Sequence, residues 1–187
     1  MLWKDFYKTP YEEVHDLCEE KFSTHRHCYR YHSNKKINIP AVEAKDEQHF
    51  SDNYECLPKN ESTIIAKYRY PVGHPFLKEI ADYLKFEYVY VGLNVQGPGM
   101  LTPRHFDRNR CFANYIGKEK LETAQTDDIK KVIYFPEDQK PGQMFQIGDD
   151  FLKWQAGDMF EWEWWAPHAA ANCGLHARSS LTIIGIR

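Results

Sequence analysis

The chain has 187 residues, 42% of them hydrophobic and 27% charged, with a formal net charge of −3. It is long enough to bury a core as one domain spanning residues 1–187, and nothing in the charge balance calls for nucleic acid or an anionic membrane as partner. No stretch approaches the roughly 18 apolar residues of a membrane span, and the start, MLWKDFYKTPYEE, has no apolar signal region, so a soluble cytoplasmic protein is expected.

The first predicted element is a helix from about Pro10 to Phe22. Thr9, Pro10 and Glu12 read as a capping box with proline at the first helical position, and Val14, Leu17, Cys18 and Phe22 recur at helical spacing. Residues 25–60 are polar and weakly patterned, a long connection with one short strand. Pro75 opens a second helix whose apolar face is Phe76, Leu77, Ile80, Ala81 and Leu84.

From residue 86 the period becomes two. Strands are predicted at Glu87–Val95, Leu101–Phe106, Cys111–Ile116, Lys131–Phe135, Gln143–Ile147, Phe151–Gln155, Met159–Trp165 and Ser179–Ile186, punctuated by turn signals such as Gly97-Pro98-Gly99. Residues 117–130 are charged and read as an insertion with a short helix, a candidate lid. Aromatic residues make up 15% of the chain, a density that suits strands and a lined pocket. The expected architecture is mainly β, a sandwich or barrel over residues 87–187, with residues 1–86 as helical and irregular cover.

Within that barrel, His105-Phe106-Asp107 would place two metal ligands on one strand face, with Phe106 on the other. Alone the pattern is equally a surface polar pair. His168 follows a Gly157-Asp158 turn, an aromatic strand and Ala166-Pro167. Two histidines and a carboxylate are the facial triad that binds Fe(II) and leaves positions open. Arg178 comes ten residues later, and strand parity gives Arg178, Ser180 and Thr182 one face. An inward guanidinium needs an anion, and its fork suits a carboxylate; a rim salt bridge is the other reading.

The stretches TPRHFDR, GDMFEWEWWAPHAAANCG and HARSSLTI together resemble the Fe(II)/2-oxoglutarate-dependent dioxygenases of the double-stranded β-helix (jelly-roll, cupin-like) fold. Within that superfamily, HFDRNRCFANYIG and PHAAANCGLHARSSLTI are similar to the aspartyl/asparaginyl β-hydroxylase branch, which typically lacks the aspartate that stands here at position 107. The resemblance implies Fe(II) on His105, Asp107 and His168, and 2-oxoglutarate on Arg178 and Ser180, with O2 as co-oxidant. The expected reaction is hydroxylation of an unactivated C–H in a small molecule or peptide, with release of succinate and CO2.

Thr182, Asn94 and Tyr134 are further candidates for the 2-oxoglutarate site, and Arg108, Arg110 and Trp165 for the substrate pocket. Arg104 is expected at the surface, Trp162 and Trp164 in the core, and Trp154 beside Trp165 at the mouth. His25, His27, Cys28 and His32 match no standard zinc spacing and read as a basic, aromatic surface segment. The five cysteines, an odd number without a Cys-x-x-Cys pair, read as reduced thiols, each a small buried hydrophobe. Two alternatives stay open: a cupin-type metalloenzyme without 2-oxoglutarate, such as an isomerase or a cysteine-dioxygenase-like enzyme, and a non-catalytic barrel that binds or supports. Nothing in the pattern fixes an oligomeric state.

Overall fold

The computed structural model describes residues 2, 5, 9–25, 29–32, 36–41, 45–46, 66–107, 112 and 115–187. Helices α1 (Tyr11–Thr24), α2 (Pro75–Leu84) and α3 (Lys118–Thr123) accompany the strands β1 (Tyr29–His32), β2 (Lys45–Asp46), β3 (Ala66–Arg69), β4 (Tyr88–Gln96), β5 (Leu101–His105), β6 (Ile129–Tyr134), β7 (Gln143–Ile147), β8 (Asp150–Phe151), β9 (Met159–Glu163), β10 (His168–Asn172) and β11 (Arg178–Ile186). They form a seven-stranded sheet in the order β1-β9-β6-β11-β4-β3-β2 and a four-stranded sheet in the order β5-β10-β7-β8. From β4 onward the chain passes back and forth between the two sheets, and all their pairings are antiparallel. That winding is a double-stranded β-helix.

Strand parity explains how each sheet serves two surroundings. Along β11, Leu181 and Ile183 face outward and pack with Val89, Val91, Val132 and the apolar face of α2. The opposite face carries Arg178, Ser180 and Thr182 into a cavity, and then Ile184 and Ile186 into the inner core. One strand therefore changes from polar pocket to apolar core along a single face. At Gly185 the strand passes so close to Phe86 that an added Cβ would lie 2.2 Å from the ring. Gly185→Ala should cost about 1–3 kcal/mol through overpacking, a fall in Tm of roughly 3–10 °C followed by thermal circular dichroism. An unchanged Tm would mean that Phe86 swings aside freely.

Helix α2 starts as expected at Pro75, with the His74 ring Nδ1 accepting the Phe76 backbone N–H at 3.2 Å. Helix α1 corrects the sequence reading: Pro10 is the cap itself, with no side-chain cap bond, and the Thr9 hydroxyl donates backward to the Asp5 carbonyl. The stretch Cys111–Ile116, expected as a strand, is helical at Phe112, Tyr115 and Ile116, its described residues. Those residues stand at i, i+3 and i+4, which is helical spacing, and Phe112 and Ile116 are buried in the inner core. Strand β10 is not among the expected strands, and of the expected strand Phe151–Gln155 only Phe151 is in a strand, at the end of the two-residue β8.

The first 86 residues do more than cover the barrel. β1 extends the larger sheet beyond β9, and β3 with β2 extends it beyond β4. The segment at 117–130 does hold a short helix, α3, but contributes no residue to the cavity. Lys120 bonds Glu87 at 2.6 Å, and Asp127 accepts from the Trp164 indole at 3.0 Å, so the segment is tied to the barrel flank. Of the cysteines, Cys18 is buried, with its thiol pushed up to about 12 by burial, whereas Cys173 is exposed. No helix among the described residues is long and apolar enough to cross a membrane.

Candidate metal centre and its cavity

His105 ends β5 and His168 begins β10, and the two are direct cross-strand partners with ring centroids 4.3 Å apart. Asp107 lies two residues beyond the end of β5, where Phe106 turns away to meet the His15 ring at 5.5 Å. One Asp107 oxygen is 3.4 Å from His105 Nε2 and the other is 3.2 Å from His168 Nε2. The three residues offer ligand atoms that all lie within 4.8 Å of one another, a group that could hold a metal ion.

Both imidazoles are oriented from behind. His105 Nδ1 is 2.7 Å from the Pro103 carbonyl and His168 Nδ1 is 3.3 Å from the Ala166 carbonyl. A carbonyl only accepts, so each Nδ1 carries a proton, and the neutral imidazole in that tautomer turns an Nε2 lone pair inward, the arrangement a metal ligand needs. His168 is also held neutral. Burial, then the charge of Lys131, push its pKa down to about 3 against the pull of Asp107. Asp107 is held ionised: enclosure raises its pKa, but the charge of Lys131 beside it brings it well below the carboxylate range.

Lys131 is the principal site residue that sequence reasoning missed. It sits on β6 with 1% exposure, its ammonium bonded to Asp107 Oδ2, 3.3 Å from His168 Nε2 and 4.9 Å from the centre of the Trp162 ring. Burial lowers its pKa, while Asp107 opposes that shift. The sequence shows two successive lysines, Lys130 and Lys131. The first reaches outward to Glu163 and the second points into the barrel. Once the inward face of β6 is fixed, parity alone selects Lys131.

The centre lies in a cavity of about 580 Å³, including its open mouth. The larger sheet lines it with Asn94, Gln96, Lys131, Ile133, Trp162, Arg178, Ser180 and Thr182, and the smaller sheet with Thr102, His105, Phe145, His168 and Ala170. Arg178 is 6% exposed; it donates to the Met144 carbonyl at 2.6 Å and lies 5.6 Å from the Phe145 ring centre. Burial lowers its pKa to about 10, so it stays cationic at neutral pH. The Asn94 amide donates to Thr182 Oγ1 at 2.6 Å.

Five buried polar atoms on this wall have no hydrogen-bond partner among the described residues: Arg178 Nε, both amide atoms of Gln96, Thr102 Oγ1 and Asn94 Oδ1. Buried polar groups are ordinarily satisfied, so a cluster of orphans around one cationic side chain fits a polar, anionic ligand. Gln96 and Thr102 were also missed. Gln96 lies opposite Arg178 in the register of β4 and β11. Thr102 and His105 differ in parity, yet both line the cavity, because the register of β5 against β10 shifts by one residue between them. The extra residue falls around Pro103, which has no N–H to contribute to the ladder.

Other expected site residues lie elsewhere. Tyr134 has the opposite parity to Lys131 and Ile133; it is buried outside the cavity, and its hydroxyl accepts the Ile37 N–H at 3.1 Å. Trp165 is buried in the core with its ring 5.7 Å from His25, away from the cavity wall, and Trp154 stacks on Phe135 at 4.1 Å. Trp162, expected as core, also lines the cavity, whereas Trp164 does not. Arg104 is exposed as expected, bonding the Gly148 carbonyl and facing Asp149 at 3.6 Å. Arg108 and Arg110, with His27 and Cys28, lie outside the described residues. His32 pairs with Glu161 at 3.7 Å, and the exposed Tyr29 and Tyr31 precede it on the strand.

No protein-family model matches the sequence, and no curated protein matches it. Among solved structures the chain is similar to a prolyl-4-hydroxylase of Pseudomonas putida, with 14% identity, a TM-score of 0.51, and coverage of 97% of this chain and 90% of that one. It is also similar to a predicted oxalate decarboxylase of Thermotoga maritima (12% identity, TM-score 0.41, 66% and 82% covered). A third is a Klebsiella pneumoniae protein with a double-stranded β-helix domain (12% identity, TM-score 0.36, 52% and 67% covered). The likeness is one of fold, and the fold is the double-stranded β-helix.

Proposed function

We propose that the chain is an Fe(II)- and 2-oxoglutarate-dependent dioxygenase that hydroxylates a C–H bond of a peptide residue or small metabolite. The observation that carries this reading is the convergence on one cavity of the His105-Asp107-His168 donor set and the buried Arg178 cation among unpartnered polar atoms. Two imidazoles with Nε2 turned inward and a carboxylate suit Fe(II) and leave room for further ligands. Arg178 and Ser180 would hold the distal carboxylate of 2-oxoglutarate, with Gln96 and Thr102 adding donors from the facing strands.

When bound, iron and 2-oxoglutarate supply the oxidation: substrate, O2 and 2-oxoglutarate give hydroxylated substrate, succinate and CO2. The protein's part is positional. Pro103 and Ala166 fix the imidazole tautomers, Arg178 orients the dicarboxylate, and Phe145, Ile133 and Trp162 exclude water from the cavity wall. The similar Pseudomonas putida protein is called a prolyl-4-hydroxylase, so a hydroxylase is compatible with this barrel.

The test is turnover of 2-oxoglutarate by protein loaded with Fe(II) under air. Slow formation of succinate and CO2 in equal amounts is expected without added substrate, with acceleration by the right peptide or metabolite in a screen. No succinate above a chelator-treated control, with the fold intact, rejects the reading.

A further inference from the structure

We infer that Lys131 and a divalent metal are alternative cationic partners of the Asp107–His168 pair, so that Lys131 sets how tightly the centre holds its metal; this rests on the metal reading above. The Lys131 ammonium bonds Asp107 Oδ2 and lies 3.3 Å from His168 Nε2. The His168 Nδ1 faces the Ala166 carbonyl, so its Nε2 offers a lone pair, and the ammonium is a donor only. Lys131 therefore uses the same lone pairs on Asp107 and His168 that a metal would have to take. An ammonium and a divalent cation cannot both sit on them.

The surroundings allow the exchange. Lys131 has 1% exposure, and its charge is matched by Asp107, so the pair is self-sufficient without metal. Its four-carbon stem is flexible and rises from β6 into the cavity wall. Asn94 Oδ1 and Gln96 Oε1 are acceptors on the same wall with no partner among the described residues, able to receive a displaced ammonium. A metal entering the triad must break the Lys131–Asp107 ion pair, and that cost is subtracted from its binding. The lysine thus favours a centre that gains and loses metal reversibly, and it keeps the carboxylate balanced in between.

The test is Mn(II) titration of chelator-treated wild-type protein and Lys131→Met, followed by the loss of the free Mn(II) electron paramagnetic signal. The methionine variant should bind at least about tenfold more tightly, about 1.4 kcal/mol, and its Tm without metal should lie below wild type and recover on adding Mn(II). Equal affinity within twofold, or weaker binding by the variant, overturns the role of Lys131 while leaving the metal site standing. If neither protein binds Mn(II), the metal reading falls and this inference with it. Should the variant fail to fold, the wild-type chain labelled with ¹⁵N-lysine gives the answer. A protected Nζ resonance should shift on Zn(II) binding, and one unmoved at full Zn(II) occupancy overturns the exchange.

Discussion

His105→Ala or His168→Ala should lower Mn(II) or Fe(II) affinity by at least about a hundredfold, since loss of only an outer partner of a metal ligand typically costs 10- to 100-fold. The two histidines face each other across β5 and β10, and each is already in the ligating tautomer, so neither is spare. The fold consequence differs between them. His168 packs against Trp162 at 5.4 Å and lies near-parallel to Phe145 at 6.5 Å, so truncation opens a cavity and costs about 2–4 kcal/mol. His168→Gln keeps most of that volume and separates the two effects. Metal titration beside circular dichroism reads both, and a folded alanine variant with undiminished affinity would remove that histidine from the ligand set. Asp107→Asn should lose metal as well as stability, because it leaves the Lys131 ammonium buried without its counter-charge.

Much of this arrangement was legible because the barrel obeys period two. Arg178, Ser180 and Thr182 share a face by parity alone, and all three line the cavity. Leu181 and Ile183, of the opposite parity, pack outward as the same rule requires. Parity says which residues share a face, not which face is inside. That is why Tyr134 was chosen from β6 and Lys131 overlooked: a lysine in a strand ordinarily reads as solvated, and a tyrosine as a pocket residue. Thr102 was hidden for a different reason. Its place on the cavity depends on the register shift at Pro103, a tertiary feature that breaks the alternation the sequence reading relied on. The helical state of Phe112, Tyr115 and Ile116 departs from the sequence reading although its signal is present, since an apolar i, i+3, i+4 triplet in a β-rich context resembles a short strand.

Arg178→Ala should raise the 2-oxoglutarate requirement by about 30- to 150-fold, the equivalent of roughly 2–3 kcal/mol for a buried hydrogen bond to a charged group. Mn(II) affinity measured without 2-oxoglutarate should be unchanged, because Arg178 touches none of the three ligands. The guanidinium is anchored on one side by the Met144 carbonyl and flanked by Phe145, leaving Nε with no partner among the described residues. A fork held in that way is pre-oriented, so Arg178→Lys should recover only part of the loss, as a point charge cannot make two parallel bonds to a carboxylate. Ser180→Ala should cost less than either, having no charge to remove. The decisive comparison uses pyruvate, a 2-oxo acid that lacks the distal carboxylate. Wild type should prefer 2-oxoglutarate to pyruvate by about the factor that Arg178→Ala loses, and the variant should bind the two alike. If the alanine variant keeps the preference, Arg178 is a structural cation and the distal carboxylate is held elsewhere, with Lys131 the next cation on the wall to test.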